Sequence, residues 1–512
     1  MIKIFFGFLS YLFQLFVRIV YPQPTTPPAP TGKPLQVTID LEKPLAVVSE
    51  RYLSFAVDTS KALGGFWWSS SGVIEIGKGK EKTTPLDFTN EKLINLAKAL
   101  SPAYLRIGGT ESDNVLFDPE TEDHAILALS KQTWDNINNF SQKTVLDLFY
   151  TVNAGPLVRD EDHNWNSKNF EKLLQYSKKK GYKLAAVELG NELNAYWFFY
   201  GFHNRITPKQ YIKDFKVFRA IAKSYYPDAQ IGGPASLYWP RIGEAFSFVG
   251  SFLPKFIMGT SMQTDMVTWH YYPQQSQRSP IRFPKAKHGL LLQPQYLNDI
   301  VKWAKKLTNF KNTYNPQTEI WIGEVGNALC GGQPGISDTF ESSLWWADVL
   351  GSMAINGQKV IIRQDIVGSN YSLLDEKTLD PRPDFWVSLL WKKLMGTKVF
   401  GVRVSKDNYY IRVYAHSTNQ TLGYSQDAVT LAFINLQNKK NNVSFKDLPA
   451  DKVIIYELTS ESLYGKSIMF NNKRLTLNKG IIPVLEGKQI KLKNNLLELA
   501  PLSITFLVSP HA

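Results

Sequence analysis

Two glutamates in this chain stand where carboxylates do chemistry. Glu192 lies in VELGNELN at 187–194 and Glu324 in IWIGEVGN at 320–327. Each follows an apolar, partly β-branched run and a glycine. That is how a buried parallel strand looks when it delivers a carboxylate to the rim of a barrel. The two are far apart in sequence, so only tertiary structure brings them together. Two carboxylates facing each other across a pocket are the machinery of glycoside hydrolysis. One protonates the leaving oxygen and the other attacks or stabilises the anomeric centre. The acid keeps its proton near the working pH because a second negative charge beside the first is costly.

Other candidates are weaker on position. Glu188 lies four residues before Glu192, so in a strand the two share a face. Glu188 then sits deeper in the barrel, where pairing with Arg106 of another strand is its expected role. Glu319 begins its strand, at the end away from chemistry. His270, in VTWHYY at 267–272, has no companion at metal-ligand spacing. It is expected to hydrogen-bond the catalytic carboxylates. The single cysteine, Cys330, excludes an intramolecular disulfide and lacks a motif that would activate a thiol. No metal or cofactor is expected.

The elements that must position these residues alternate. Strand candidates are LSFAVD at 53–58, YLRIGG at 104–109, FYTVNAG at 149–155 and LAAVELGNE at 184–192. They continue with IGGPA at 231–235, MVTWHYY at 266–272, EIWIGEVG at 319–326 and KVIIRQD at 359–365. Amphipathic stretches at 90–100, 169–180 and 295–307 predict helices between them. This pattern predicts an α/β chain with a (β/α)8 barrel over 49–397. Glu192 and Glu324 then end its fourth and seventh strands, on the face where barrel active sites form. Segments 410–418, 429–437, 453–460 and 503–509 are β-rich, and predict an antiparallel β-sandwich over 398–512. PLQVTIDL at 34–41 precedes the barrel, and the segment 34–48 is expected to cross over and join the sandwich.

Net charge is +13 over 512 residues, with a pI near 9.3. A balance this basic points to an anionic partner. No nucleic-acid motif is present and the lysines are spread along the chain. An acidic polysaccharide fits best, with the generous aromatic content available to stack on sugar faces. Lys178, Lys179 and Lys180 end a helix that leads into the fourth strand, so they belong to the far end of the barrel. RSPIRFPKAKH at 278–288 follows the sixth strand, on the catalytic face. Its Arg278, Arg282, Lys285 and Lys287 are candidates to meet sulfate or carboxylate. Residues 1–22 contain an uncharged run from Ile4 to Val17 between Lys3 and Arg18, which reads as a signal peptide or signal anchor. A proline-rich linker at 23–33 follows. Export is expected, either free or held at a membrane by this segment, and the protein is expected to act as a monomer.

With these motifs in view, the chain resembles the heparanase group of glycoside hydrolase family 79. The resemblance runs from about residue 35 to the end. It rests on SPAYLRIGGTESDNVLFDP at 101–119, GYKLAAVELGNELN at 181–194, VTWHYY at 267–272 and WIGEVGNALCGGQPGISDTF at 321–340. NYSLLDEKTLDPRPDFWVSLLWKKLMGTKV at 370–399 is the longest shared stretch. The family implies a retaining mechanism on β-glucuronides, with Glu192 as acid/base and Glu324 as nucleophile. By the same resemblance Asn191 contacts the hydroxyl next to the anomeric carbon, and Tyr272 lies near the nucleophile. Asp58, Thr110, Gly368, Ser369 and Tyr371 match positions that hold the glucuronic acid and its carboxylate. The chain departs from the family at Leu193, Leu329 and Ser369, which replace a proline, a tyrosine and a glycine. Relatives are activated by excision of an internal segment; FDPETEDHAILALSKQTWDN at 117–136 leaves little room for one, so activity without cleavage is expected. Endo action on heparan sulfate or a related glycosaminoglycan is the leading expectation. Exo action on proteoglycan or small glucuronides, and glycan binding without catalysis, are its rivals.

Overall fold

The computed structural model describes residues 34–67, 81–121, 128–237, 252–261, 263–279, 284–405, 409–446, 448 and 452–510. The leader and linker expected at 1–33 lie outside the described residues. Among the described residues, no helix is long and apolar enough to cross a membrane.

Eight parallel strands close into a barrel in sequence order. They are Leu53–Asp58, Tyr104–Gly108, Asp147–Val152, Ala186–Leu189, Gln230–Leu237, Met266–Tyr271, Glu319–Val325 and Gln358–Arg363. Each matches a strand expected from the sequence. Their near-continuous burial follows from having helices outside and side chains inside.

The barrel interior is layered with the two-residue period of a strand. Ala56, Tyr104, Phe149, Ala186, Met266, Trp321, Val360 and Ile362 form an apolar plug. Two residues further along the same strands come Asp58, Arg106, Thr151, Glu188 and Thr268, all buried. The plug therefore carries a polar layer, and the carboxylates of Glu192 and Glu324 lie above it. Arg106 and Glu188 meet in that layer at 2.8 Å, the pairing expected for them.

The second unit is a 12-stranded sheet wrapped around its own apolar core. Leu35–Asp40 crosses from ahead of the barrel and pairs antiparallel with Met395–Val404. On its other edge it pairs with Asn441–Phe445, and that pairing is parallel. Among the described residues, the sandwich is antiparallel as expected apart from this one ladder. An incoming strand has no hairpin linking it to its neighbour, so nothing forces antiparallel direction. The sheet's second face packs on the barrel helix Phe340–Ile355. Tyr414 donates to Asp348 at 2.5 Å, and a Cβ on Gly351 would stand 2.1 Å from the Tyr414 ring. That glycine lets helix and sheet approach.

Candidate active site

The turn after the fourth strand aims Glu192. Gly190 has φ +74, and a Cβ there would come within 2.8 Å of Ala154 and Leu193. Glu192 itself adopts the left-handed conformation, φ 52 and ψ 45. A non-glycine residue pays strain for this, and such strain collects at functional sites. Glu324 needs no such turn, because it lies inside the strand Glu319–Val325.

Both carboxylates are buried, at 5% and 7% exposure. Ligand atoms of Glu192, His270 and Glu324 all lie within 4.8 Å of one another. Their surroundings differ. Glu324 accepts from Arg106 Nη1 at 3.1 Å and from the Tyr272 hydroxyl. Glu192 Oε1 meets His270 Nδ1 at 3.0 Å. Burial and then Arg106 hold the His270 imidazole well below its ordinary pKa, so it is neutral. Burial, then the nearby Glu324 charge, pushes Glu192 well above the usual carboxylate range. Burial also raises Glu324, but Arg106 and Tyr272 oppose it. The proton of this pair therefore resides on Glu192 and the charge on Glu324.

Arg106 organises the floor. Its Nε bonds Glu188, its Nη1 bonds Glu324 and its Nη2 bonds Asn191 Oδ1 at 2.9 Å. Glu188 is completed by the hydroxyls of Thr151 and Thr268, each at 2.8 Å. Glu188 and Glu324 hold the guanidinium charged against the cost of burial. The two glycines of the second-strand motif have no space for a side chain. A Cβ at Gly108 would stand 2.6 Å from Arg106 Cζ, and one at Gly109 2.4 Å from Asp58 Oδ2.

As a metal site the three ligand atoms are close enough, but the donor set fits poorly. Both Glu324 oxygens are engaged, one by the Arg106 cation. A second cation there would face Arg106 directly.

The remaining expected site residues divide. Asp58 caps the helix Thr59–Leu63 through Ser60 and accepts from Gln364 Nε2 at 3.2 Å. Thr110 is half-buried and follows Gly109, which abuts Asp58. Tyr371 is buried, its ring 6.0 Å from that of Tyr272. Gly368 has φ +123, and Ser369 bonds Asp365 through its hydroxyl at 2.9 Å. The Ser369 N–H is taken by Ser372 Oγ at 2.6 Å.

The basic loop does not act as a unit. Arg278 is half-buried and donates to Gly332 O at 3.0 Å and Asn370 Oδ1 at 2.9 Å, bracing neighbouring loops. Lys285 and Lys287 are exposed, and Arg282 lies outside the described residues. Cys330 is buried and its thiol is pushed up to about 12 by burial, which leaves it unreactive.

Two residues that bond into the site were not singled out from sequence: Gln364 and Asp113. Asp113 accepts backbone N–H groups from Ala154 and Asn191. Its sequence context, TESDN, looks like a polar loop.

Comparison with known proteins places this geometry in a lineage. Heparanase of Rattus norvegicus is 29% identical over 506 residues, covering 88% of each chain. Baicalin-beta-D-glucuronidase of Scutellaria baicalensis is 28% identical, covering 92% of this chain and 91% of its own. Inactive heparanase-2 of Homo sapiens is 27% identical, covering 92% of this chain and 87% of its own. The model for "Glycosyl hydrolase family 79, N-terminal domain" matches residues 37–351, a span that contains every barrel strand but the last. The chain belongs to glycosyl hydrolase family 79.

Proposed function

We propose that the protein is a retaining β-glucuronidase that cleaves internally in heparan sulfate or a related acidic glycosaminoglycan. The observation that carries this is the pair Glu192 and Glu324, with carboxylate oxygens within 4.8 Å and opposite neighbours. Retaining enzymes hold the two carboxyls about 5–5.5 Å apart; inverting ones need about 6.5–9.5 Å to fit a water. Glu324, kept ionised by Arg106 and Tyr272, attacks the anomeric carbon. Glu192 delivers its proton to the leaving oxygen. The covalent intermediate removes the Glu324 charge, which lowers the pKa of Glu192. Glu192 then takes a proton from the incoming water. The glucuronide preference is supported by the baicalin-cleaving relative, and polymer action by the heparanases. Net charge of +13 suits an anionic chain. The reading includes export through the apolar N-terminal run and function as a monomer.

A second reading is exo cleavage of small glucuronides. It is favoured by Phe198 and Phe202, 43% and 64% exposed on the loop that follows Glu192, where a flat aglycone could stack. Loss of catalysis, as in the inactive relative, is disfavoured because both glutamates are present and engaged. Product analysis separates all three. Internal cleavage of heparan sulfate supports the proposal, with the β-anomer released first in proton NMR. Release of terminal units alone supports the exo reading, and no turnover of either substrate overturns both.

A further inference from the structure

Three successive N–H groups fix the turn that presents Glu192, and each points to a different element. Gly190 donates to Val152 O at 2.8 Å, at the end of the third strand. Glu192 donates to Ala235 O at 2.8 Å, on the fifth strand. Between them, Asn191 donates at 2.9 Å to a side chain, Oδ2 of Asp113. The other Asp113 oxygen accepts the Ala154 N–H at 2.9 Å. Asp113 is 1% exposed, and a Cβ on Gly155 would stand 2.1 Å from its carbonyl oxygen. The loops after strands two and three are thus closely packed here, with the Asp113 backbone against Gly155. Each of its two oxygens accepts one backbone N–H, so the side chain ties the loop after strand three to the turn of strand four.

We infer that Asp113 is a positioning residue for the acid/base, holding the strained turn through the Asn191 amide. It acts through the turn that carries Glu192 rather than by contact with the sugar, and the inference rests on Glu192 being the acid. Arg106 holds the Asn191 side chain at 2.9 Å, so the backbone and side chain of Asn191 are fixed by different residues. Displacing Glu192 by an ångström should weaken proton delivery and leave nucleophilic attack by Glu324 nearly intact.

The test is Asp113→Asn, which presents an amide NH2 to one of the two backbone donors. Its kcat/KM is measured on aryl glucuronides of increasing leaving-group pKa. A loss of about 10²-fold is expected with the poorest leaving group, shrinking toward none with the most activated one. In a Glu192→Gln background the same substitution should cost nothing further. A loss equal across all leaving groups, or one that adds fully to Glu192→Gln, would mean a merely structural role and overturns the inference. If wild type turns over no glucuronide at all, the acid assignment itself fails and takes this inference with it. Should the variant not fold, the Asn191 amide of wild type decides. Selective asparagine 15N labelling should show it shifted downfield and slow to exchange; a rapidly exchanging amide overturns the inference.

Discussion

The Arg106 guanidinium lies 3.1 Å from Oε2 of Glu324, an ion pair that places the charge of the Glu192–Glu324 pair on Glu324. Glu192 has the neutral imidazole of His270 as its partner instead. Two chemically identical side chains thus acquire opposite protonation states from their neighbours.

The role split predicts unequal mutants. Glu324→Gln should abolish turnover of every substrate. Glu192→Gln should cost about 10²–10⁴-fold where the leaving group needs a proton, and far less where it does not. Steady-state rates on natural and activated glucuronides check this. Equal losses on both would leave the assignment unsupported.

Arg106→Gln should damage both stability and rate. It strands Glu188, fully buried in the polar layer, and a broken buried pair costs about 3–5 kcal/mol. Denaturant unfolding reads the stability. Without the cation, Glu324 should ionise at higher pH, so the acidic limb of the pH–rate profile moves upward. An unchanged limb would show that Tyr272 alone sets the nucleophile.

Asp365 predicts how stability depends on pH. Burial pushes its carboxyl up to about 7, only partly opposed by the Ser372 and Ser369 hydroxyls. An unfolded aspartate titrates near 3.9. The folded state therefore binds the extra proton between those values. Stability from this group is complete below the unfolded pKa and is lost as pH rises through about 7. Each pH unit in the window costs about 1.4 kcal/mol for such a group. Calorimetric Tm should fall from pH 5 to pH 8, and Asp365→Asn should flatten the fall. A Tm that climbs over this range would contradict the assignment.

Lys285 and Lys287 should matter for polymers only. Replacing both with Ala should weaken cleavage of an anionic glycan and flatten its salt dependence, because exposed contacts are screened over about 8 Å at physiological ionic strength. Hydrolysis of a small aryl glucuronide should not change. Arg278→Ala should instead lower thermal stability, since its guanidinium braces two loops. Identical behaviour of the three variants would remove the distinction.

Uncut protein should be active. Ala128–Leu129 pairs with Leu116–Phe117, and the helix Lys131–Thr144 follows directly. Purified protein running as one band on a denaturing gel should hydrolyse substrate. Activity that depends on cleavage between the second and third strands would refute this.

The barrel was legible because both its periodicities are. All eight strands showed as apolar segments between helical stretches, and Glu192 and Glu324 stood toward the ends where chemistry collects. Arg106 was visible as a lone charge in an apolar strand, which demands a buried partner. Asp113 was not, because a carboxylate that caps backbone amides leaves no periodic trace. Arg278 is a related case. A sequence shows that a cation is near the cleft but not that its Nη1 braces two neighbouring loops. The strand Met395–Val404 escaped because MGTKVFGVRV follows a helix without an intervening turn signal. The parallel ladder at Leu35–Val37 could not be foreseen from alternation, which is the same in either direction.

That ladder orders events during synthesis. Leu35–Asp40 emerges from the ribosome early, but its partners Met395–Val404 and Asn441–Phe445 emerge only after the whole barrel. Until then its apolar face and both edges stay open, the kind of edge that recruits other chains. The nascent protein therefore carries an unfinished seam through most of its translation, and a chain truncated before residue 441 would never close it.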